Sequence, residues 1–183
     1  MLPKQKNHTR QIALLSVLFA VTTSLQIVPR PLGVEFTSLI TFSTGVVFGG
    51  IIGASLGFFV MFVNAFLSPW GLASLNMPFQ MLGMSIIGAV GGFYKIDQGG
   101  NARFYAETAI LGAFLTFIYY LITNVGYAIY FSFFLSRISI LEALVLVQVT
   151  GVVFTIIYIV TNTFIFGVGA VPLVNAMRKI LWR

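Results

Sequence analysis

Amides and phenols are the side chains in this sequence best suited to chemistry, and the chemistry they suit is recognition. Asn64, Asn76, Gln80, Asn124 and Gln148 each offer donors and an acceptor, and Trp70, Tyr120 and Tyr127 add flat rings. Arg30 and Glu35 supply one charge of each sign nearby in the chain, while Tyr119, Tyr158 and Asn162 extend the set to deeper positions. Polar groups in an apolar setting need partners, and a polar ligand with a flat ring would supply them. Two readings are open for each residue. It touches a ligand, or it belongs to an interfacial aromatic belt or an amide-to-backbone bond.

The rest of the composition argues against catalysis. There is no cysteine, and the one histidine, His8, sits in a polar N-terminal tail. No phosphate-binding Gly-Lys-Ser/Thr motif, no cluster of His, Asp and Glu and no Ser-His pairing is present. The chain therefore calls for no metal and no cofactor, and it offers no catalytic residue. Its basic residues are not interleaved with aromatics in the way a nucleic-acid groove requires, so nucleic acid is not an expected partner.

The elements that must carry these groups are membrane helices. Only 8% of residues are charged and 58% are hydrophobic. Soluble domains carry about 25% charge, so lipid must solvate this surface. The run from Phe36 to Tyr94 contains no Lys, Arg, Asp or Glu. At roughly 20 residues per crossing it holds about three helices. Further uncharged runs cover Gln11–Pro29, Thr108–Ser136 and Ala143–Met177.

Breakers divide these runs into about six crossings, expected near 11–28, 36–48, 51–67, 77–94, 105–123 and 149–172. Pro29-Arg30-Pro31-Leu32-Gly33 ends the first, Gly49-Gly50 is a plausible turn after the second, and Ser68-Pro69-Trp70-Gly71 ends the third. The second crossing is short and should be buried among the others or begin in the interfacial layer. Residues 124–140 read as an outer loop with a short amphiphilic piece. The whole chain is expected to be one all-α, multi-pass domain of the cell (plasma) membrane. The basic n-region and apolar stretch at the start also fit a secretory signal. The apolar run continues past the small residues, which favours a retained first helix.

Charge sets the orientation. Lys4, Lys6, Arg10, Lys95, Arg103, Arg178, Lys179 and Arg183 fall on one side of a six-span chain, and only Arg30 and Arg137 on the other. Basic loops stay in the cytoplasm, so both termini are expected there. Arg30, Glu35, Asn64, Trp70, Asn76, Gln80, Asn124, Tyr127 and Gln148 then converge toward the outside, with Tyr119, Tyr120, Tyr158 and Asn162 deeper. No span carries a charge at its centre, where proton-coupled pumps place Asp, Glu or His, so no energy source is visible.

Ser16, Ala20 and Ser24 recur every four residues on the first helix. Small residues at that spacing let helix backbones approach closely in lipid. They form either an internal packing face or a docking face for another membrane subunit. Gly45, Gly49, Gly53 and Gly57, with Gly88 and Gly92, repeat the spacing and read as tight internal packing.

This architecture resembles the substrate-binding (S) components of energy-coupling factor (ECF) vitamin transporters. The resemblance covers nearly the whole chain. It rests also on Glu35-Phe36-Thr37-Ser38-Leu39, Gly45-Val46-Val47-Phe48-Gly49-Gly50, Asn64-Ala65-Phe66-Leu67-Ser68-Pro69-Trp70-Gly71 and Gln80-Met81-Leu82-Gly83-Met84. The resemblance implies capture of a vitamin or related micronutrient from outside, beneath a loop formed by 28–35. It implies a transmembrane coupling subunit and two ATPase subunits as partners, with ATP hydrolysis on the latter. The family's Ala-x-x-x-Ala docking motif would map onto Ser16, Ala20 and Ser24, with Ser at two positions. The residues alone leave two other classes open, an autonomous channel or secondary carrier and a membrane enzyme or assembly factor. Aromatic heterocycles such as flavin, pyrimidine or corrinoid precursors would suit the Trp, Tyr and Asn set.

Overall fold

A computed structural model describes residues 3–29, 31, 33–67, 76–96, 101–136 and 138–181, with the side chains of 3–7, 135 and 136 left out. The described chain is helical: α1 Pro3–Ile27, α2 Thr37–Phe48, α3 Gly50–Leu67, α4 Met77–Phe93, α5 Ala102–Tyr130 and α6 Ile140–Leu181. A π-helical segment, Phe131–Ser136, continues α5. Segments His8–Ile27, Gly50–Leu67, Ala102–Phe134 and Ile140–Leu181 are long and apolar enough to cross a bilayer, while α2 and α4 are shorter. The protein is a helical bundle of the integral membrane class.

The short α2 is the axis of the bundle. Every residue from Thr37 to Gly45 is buried, because α1, α3, α4 and α6 all pack on it. A helix enclosed by protein on all sides does not have to match the bilayer thickness by itself. Its hydroxyls are also buried, and Thr44 returns its proton to the Ile40 carbonyl at 2.8 Å, the usual way a Thr is tolerated inside an apolar helix.

Glycine makes this enclosure possible. A Cβ on Gly53 would stand 2.6 Å from the Gly45 Cα and 2.6 Å from the Gly88 carbonyl oxygen. The backbones of α2, α3 and α4 therefore touch at a single level. Gly49 makes the reversal between α2 and α3, with φ +98° and its N–H donated to the Gly45 carbonyl at 2.9 Å. Such a φ strains any residue with a Cβ. Around the knot, Leu39, Phe42, Met61, Met84, Ile87, Leu115 and Phe166 form the main core.

Three spans differ from the sequence expectation. The crossing expected at 105–123 runs from 102 through the π-helical segment to 136, so residues 124–136 are helix rather than outer loop. Asn124 and Gly126 read as loop residues in isolation. In the fold, the Asn124 amide donates to Gln148 at 2.9 Å, and Gly126 is where Phe79 of α4 lies against α5. The crossing expected at 149–172 is part of a single 42-residue helix that continues through Pro172. Pro172 removes one backbone donor, but the tertiary contacts of Val171 and Val174, both fully buried, hold the helix together across it. The first helix likewise begins at Pro3 rather than near residue 11.

At the end carrying the α4–α5 connection, Tyr94 donates to Glu107 at 2.6 Å and Arg103 pairs with the same carboxylate. Burial first, and then Glu107, push the Tyr94 phenol upward in pKa. Glu107 is thus engaged by two side chains. Arg178 of α6 donates to the Ile96 carbonyl at 2.5 Å and fastens the connection to α6.

Candidate functional site

The opposite end of the bundle gathers the C-termini of α1, α3 and α5 with the N-terminus of α2. A ladder of rings crosses it. The Tyr119 ring lies on the α4 backbone at Gly83, where a Cβ would come within 2.8 Å of it, and its hydroxyl is 3.9 Å from the Met61 sulfur on α3. Tyr119 and Tyr120 meet edge to face at 5.8 Å, and Tyr120 meets Tyr158 of α6 at 5.2 Å. Three tyrosines thus connect α3 and α4 to α6 at one level.

Amides stand on either side of this ladder. Asn64 is one turn beyond Met61 on α3, and Gln80 is one turn beyond Gly83 on α4. Asn76, just before α4, is buried close to Gly126 of α5. On the deeper side, Asn162 is one turn below Tyr158 on α6 and only 1% exposed. Its Nδ2 donates to Thr116 of α5 at 2.9 Å.

Five amide atoms in this group are buried and find no hydrogen-bond partner among the described residues. They are Asn64 Oδ1, both Asn76 side-chain polar atoms, Gln80 Oε1 and Asn162 Oδ1. Each such group costs about 1–3 kcal/mol if nothing satisfies it. The fold gathers several of them at one end, around a strip of phenols.

A loop lies over the ladder. Gly33 has φ +87°, and a Cβ there would fall 2.7 Å from Ile157 Cγ2 and 2.8 Å from Thr161 Oγ1. The loop before α2 therefore sits directly on α6 at the level of Tyr158. Glu35, on the same loop, is 5% exposed. Among the described residues it is the one buried charged side chain. Just past the loop, Thr37 at the start of α2 donates to Gln26 of the first helix at 2.8 Å.

Among the expected ligand residues, the structure brings Glu35, Asn64, Asn76, Gln80 and Tyr120 to this end. Asn124 is there too, but its amide is already bonded to Gln148. Tyr127 is 43% exposed and stands on the surface of α5. Arg30 and Trp70 lie outside the described residues. Tyr119, Tyr158, Asn162 and Thr116 complete the arrangement. The adjacent Tyr pair and the i, i+4 spacing of Tyr158 and Asn162 inside apolar runs are the signals that point to them.

The first helix shows a second feature. Leu18 and Thr22 turn inward and are buried, while Ser16, Ala20 and Ser24 are all exposed. The small-residue face is therefore not buried by packing against the described residues. No group of His, Cys, Asp and Glu able to hold a metal occurs among the described residues.

Comparison with known protein families matches residues 6–179 to the model for the ECF-type riboflavin transporter, S component. Neither the curated proteins nor the solved structures contain a match to the chain. The family match runs almost from end to end of a chain whose helical bundle, loop-covered polar cluster and exposed small-residue face were found without it, and the chain belongs to the ECF riboflavin transporter S-component family.

Proposed function

We propose that the chain captures riboflavin, or a close flavin relative, from outside the cell and delivers it through a separate coupling subunit driven by two ATPase subunits. The observation that carries this reading is the group of unpartnered buried amides beside the Tyr119, Tyr120 and Tyr158 ladder. An isoalloxazine ring has flat faces for the phenols. Its pyrimidine edge alternates carbonyl acceptors with an N–H donor, which amides can pair. Its ribityl hydroxyls suit the remaining donors and acceptors. The family's description names riboflavin, in keeping with this chemistry.

Two further features support delivery through a partner. Beneath the site Phe42, Met84, Leu115 and Phe166 pack as an apolar layer, each at most 2% exposed, where an autonomous channel would need an open polar path. The outward-facing Ser16, Ala20 and Ser24 offer a coupling helix close backbone approach in lipid. The preponderance of basic residues on the opposite side supports cytoplasmic termini and a site open to the outside.

Flavin titration of the purified protein tests the binding claim. Stacking on tyrosine should quench flavin fluorescence with saturation at one flavin per chain. Unquenched flavin that washes away freely in gel filtration would refute it.

A further inference from the structure

Asn162 has two possible amide orientations, and its neighbours select one. The Thr116 hydroxyl donates to the Gly112 carbonyl at 2.7 Å, one turn back on the same helix. Its proton is therefore committed, and what it presents to Asn162 is a lone pair. Asn162 Nδ2 occupies that lone pair at 2.9 Å. The Asn162 carbonyl is left as the free end, and Oδ1 has no partner among the described residues. Both residues are at most 3% exposed, so water does not readily replace either bond.

The same contact is geometrically pinned. Gly112 is where α5 and α6 come together, with a would-be Cβ only 2.6 Å from the Phe166 side chain and 3.0 Å from the Asn162 backbone oxygen. This close contact fixes the separation of Thr116 and Asn162 across the two helices, and the hydrogen bonds then select the amide orientation. The free carbonyl lies one turn beneath Tyr158, at the deep end of the ring ladder.

We infer that Thr116 is a positioning residue that holds the Asn162 side-chain carbonyl toward the ligand, making the deepest polar group of the site an obligate acceptor for the imide N–H of a flavin ring. This inference rests on the flavin reading above. The ring, not the polyol, is the part of a flavin that profits from the buried end, because the ribityl hydroxyls are the more strongly hydrated groups. At the polar edge of the ring the imide nitrogen carries the sole hydrogen. A site with a buried acceptor there discriminates sharply against a ligand that lacks the donor, since the acceptor is then left unpaired.

Riboflavin and 3-methylriboflavin, in which a methyl replaces the imide hydrogen, are the probes. Each is titrated against the wild-type chain, Thr116→Val and Thr116→Ser, with thermal melting to confirm that all three are folded. The wild-type chain should bind the methylated flavin at least about tenfold more weakly. Thr116→Val, which removes the lone pair that holds Nδ2, should narrow that ratio to about threefold or less, and Thr116→Ser should restore it. Discrimination that survives in Thr116→Val overturns the inference, and so does an equal loss for both flavins, which a merely structural residue would give. If the wild-type chain binds riboflavin but does not discriminate, the inference fails while the flavin reading stands. If it binds neither flavin, the flavin reading itself fails and the inference falls with it.

Discussion

Tyr120 and Tyr158 face each other across the α5–α6 interface with ring centroids 5.2 Å apart and planes inclined at 43°. This pair closes the ring ladder from the α6 side, directly under the loop that carries Gly33 and Glu35. The start of α2, just after that loop, is joined to the first helix by the hydrogen bond from Thr37 to Gln26.

The unpartnered amides make a prediction of opposite signs for stability and binding. A buried polar atom without a partner destabilises the empty protein, and an apolar residue of similar shape relieves that cost. Asn64→Leu and Gln80→Met should leave the melting temperature of the ligand-free protein unchanged or raise it. Flavin affinity should fall by about 1–3 kcal/mol for each. A lowered melting temperature with unchanged affinity would show that these amides serve the fold instead.

The exposed face of α1 predicts separation of binding from transport. Ala20 points away from the bundle, so Ala20→Trp should fold and bind flavin within about twofold of wild type. The indole would hold a partner helix away and remove the close packing that drives association in lipid. Co-purification with the coupling subunit and flavin uptake should both be lost. An unfolded Ala20→Trp would instead mean that the face packs internally.

The glycine knot can be probed against a matched control. Gly53→Ala places a Cβ 2.6 Å from backbone atoms of two other helices, and backbone cannot yield as a side chain can. Destabilisation of about 1–3 kcal/mol is expected, as for overpacked cores. Gly151 lies in α6 with nothing within 4 Å of its would-be Cβ. Gly151→Ala should be neutral or stabilising by up to about 1 kcal/mol. Equal melting temperatures for the two variants would contradict the close contact of α2, α3 and α4.

Orientation is open to labelling in intact cells. Cysteines at the exposed positions His8 and Asn101 should be shielded from an impermeant thiol reagent. Those at Val28 and Ile140, exposed at the other end, should react. Labelling of Asn101→Cys from outside would reverse the proposed topology.

Much of the fold was legible because lipid imposes simple rules. Uncharged runs gave the helices, and Gly49 gave the break between α2 and α3 because a positive φ has few other occupants. The boundaries of α5 and α6 were not legible. Asn124, Gly126 and Pro172 carry local signals for loops or ends, and they are overridden by contacts with Gln148, Phe79 and the core around Val171 and Val174. The candidate site was legible as a class of residues, amides and phenols toward one end with Tyr119, Tyr158 and Asn162 deeper. Its contacts were not, because only packing shows that the Tyr119 ring lies on Gly83 and that Asn162 is bonded to Thr116. The sequence left Ser16, Ala20 and Ser24 open between two uses, and side-chain exposure decides that they are not buried by packing against the described residues.

The most direct test of the whole account is uptake of labelled riboflavin into proteoliposomes that contain either this chain alone or this chain with its coupling and ATPase subunits. The account predicts that the chain alone binds flavin and accumulates none. Uptake should appear only when the other subunits and ATP are present, and Ala20→Trp should abolish it. Sustained uptake by the chain alone, without partners or ATP, would contradict the claim that this protein is a substrate-binding subunit.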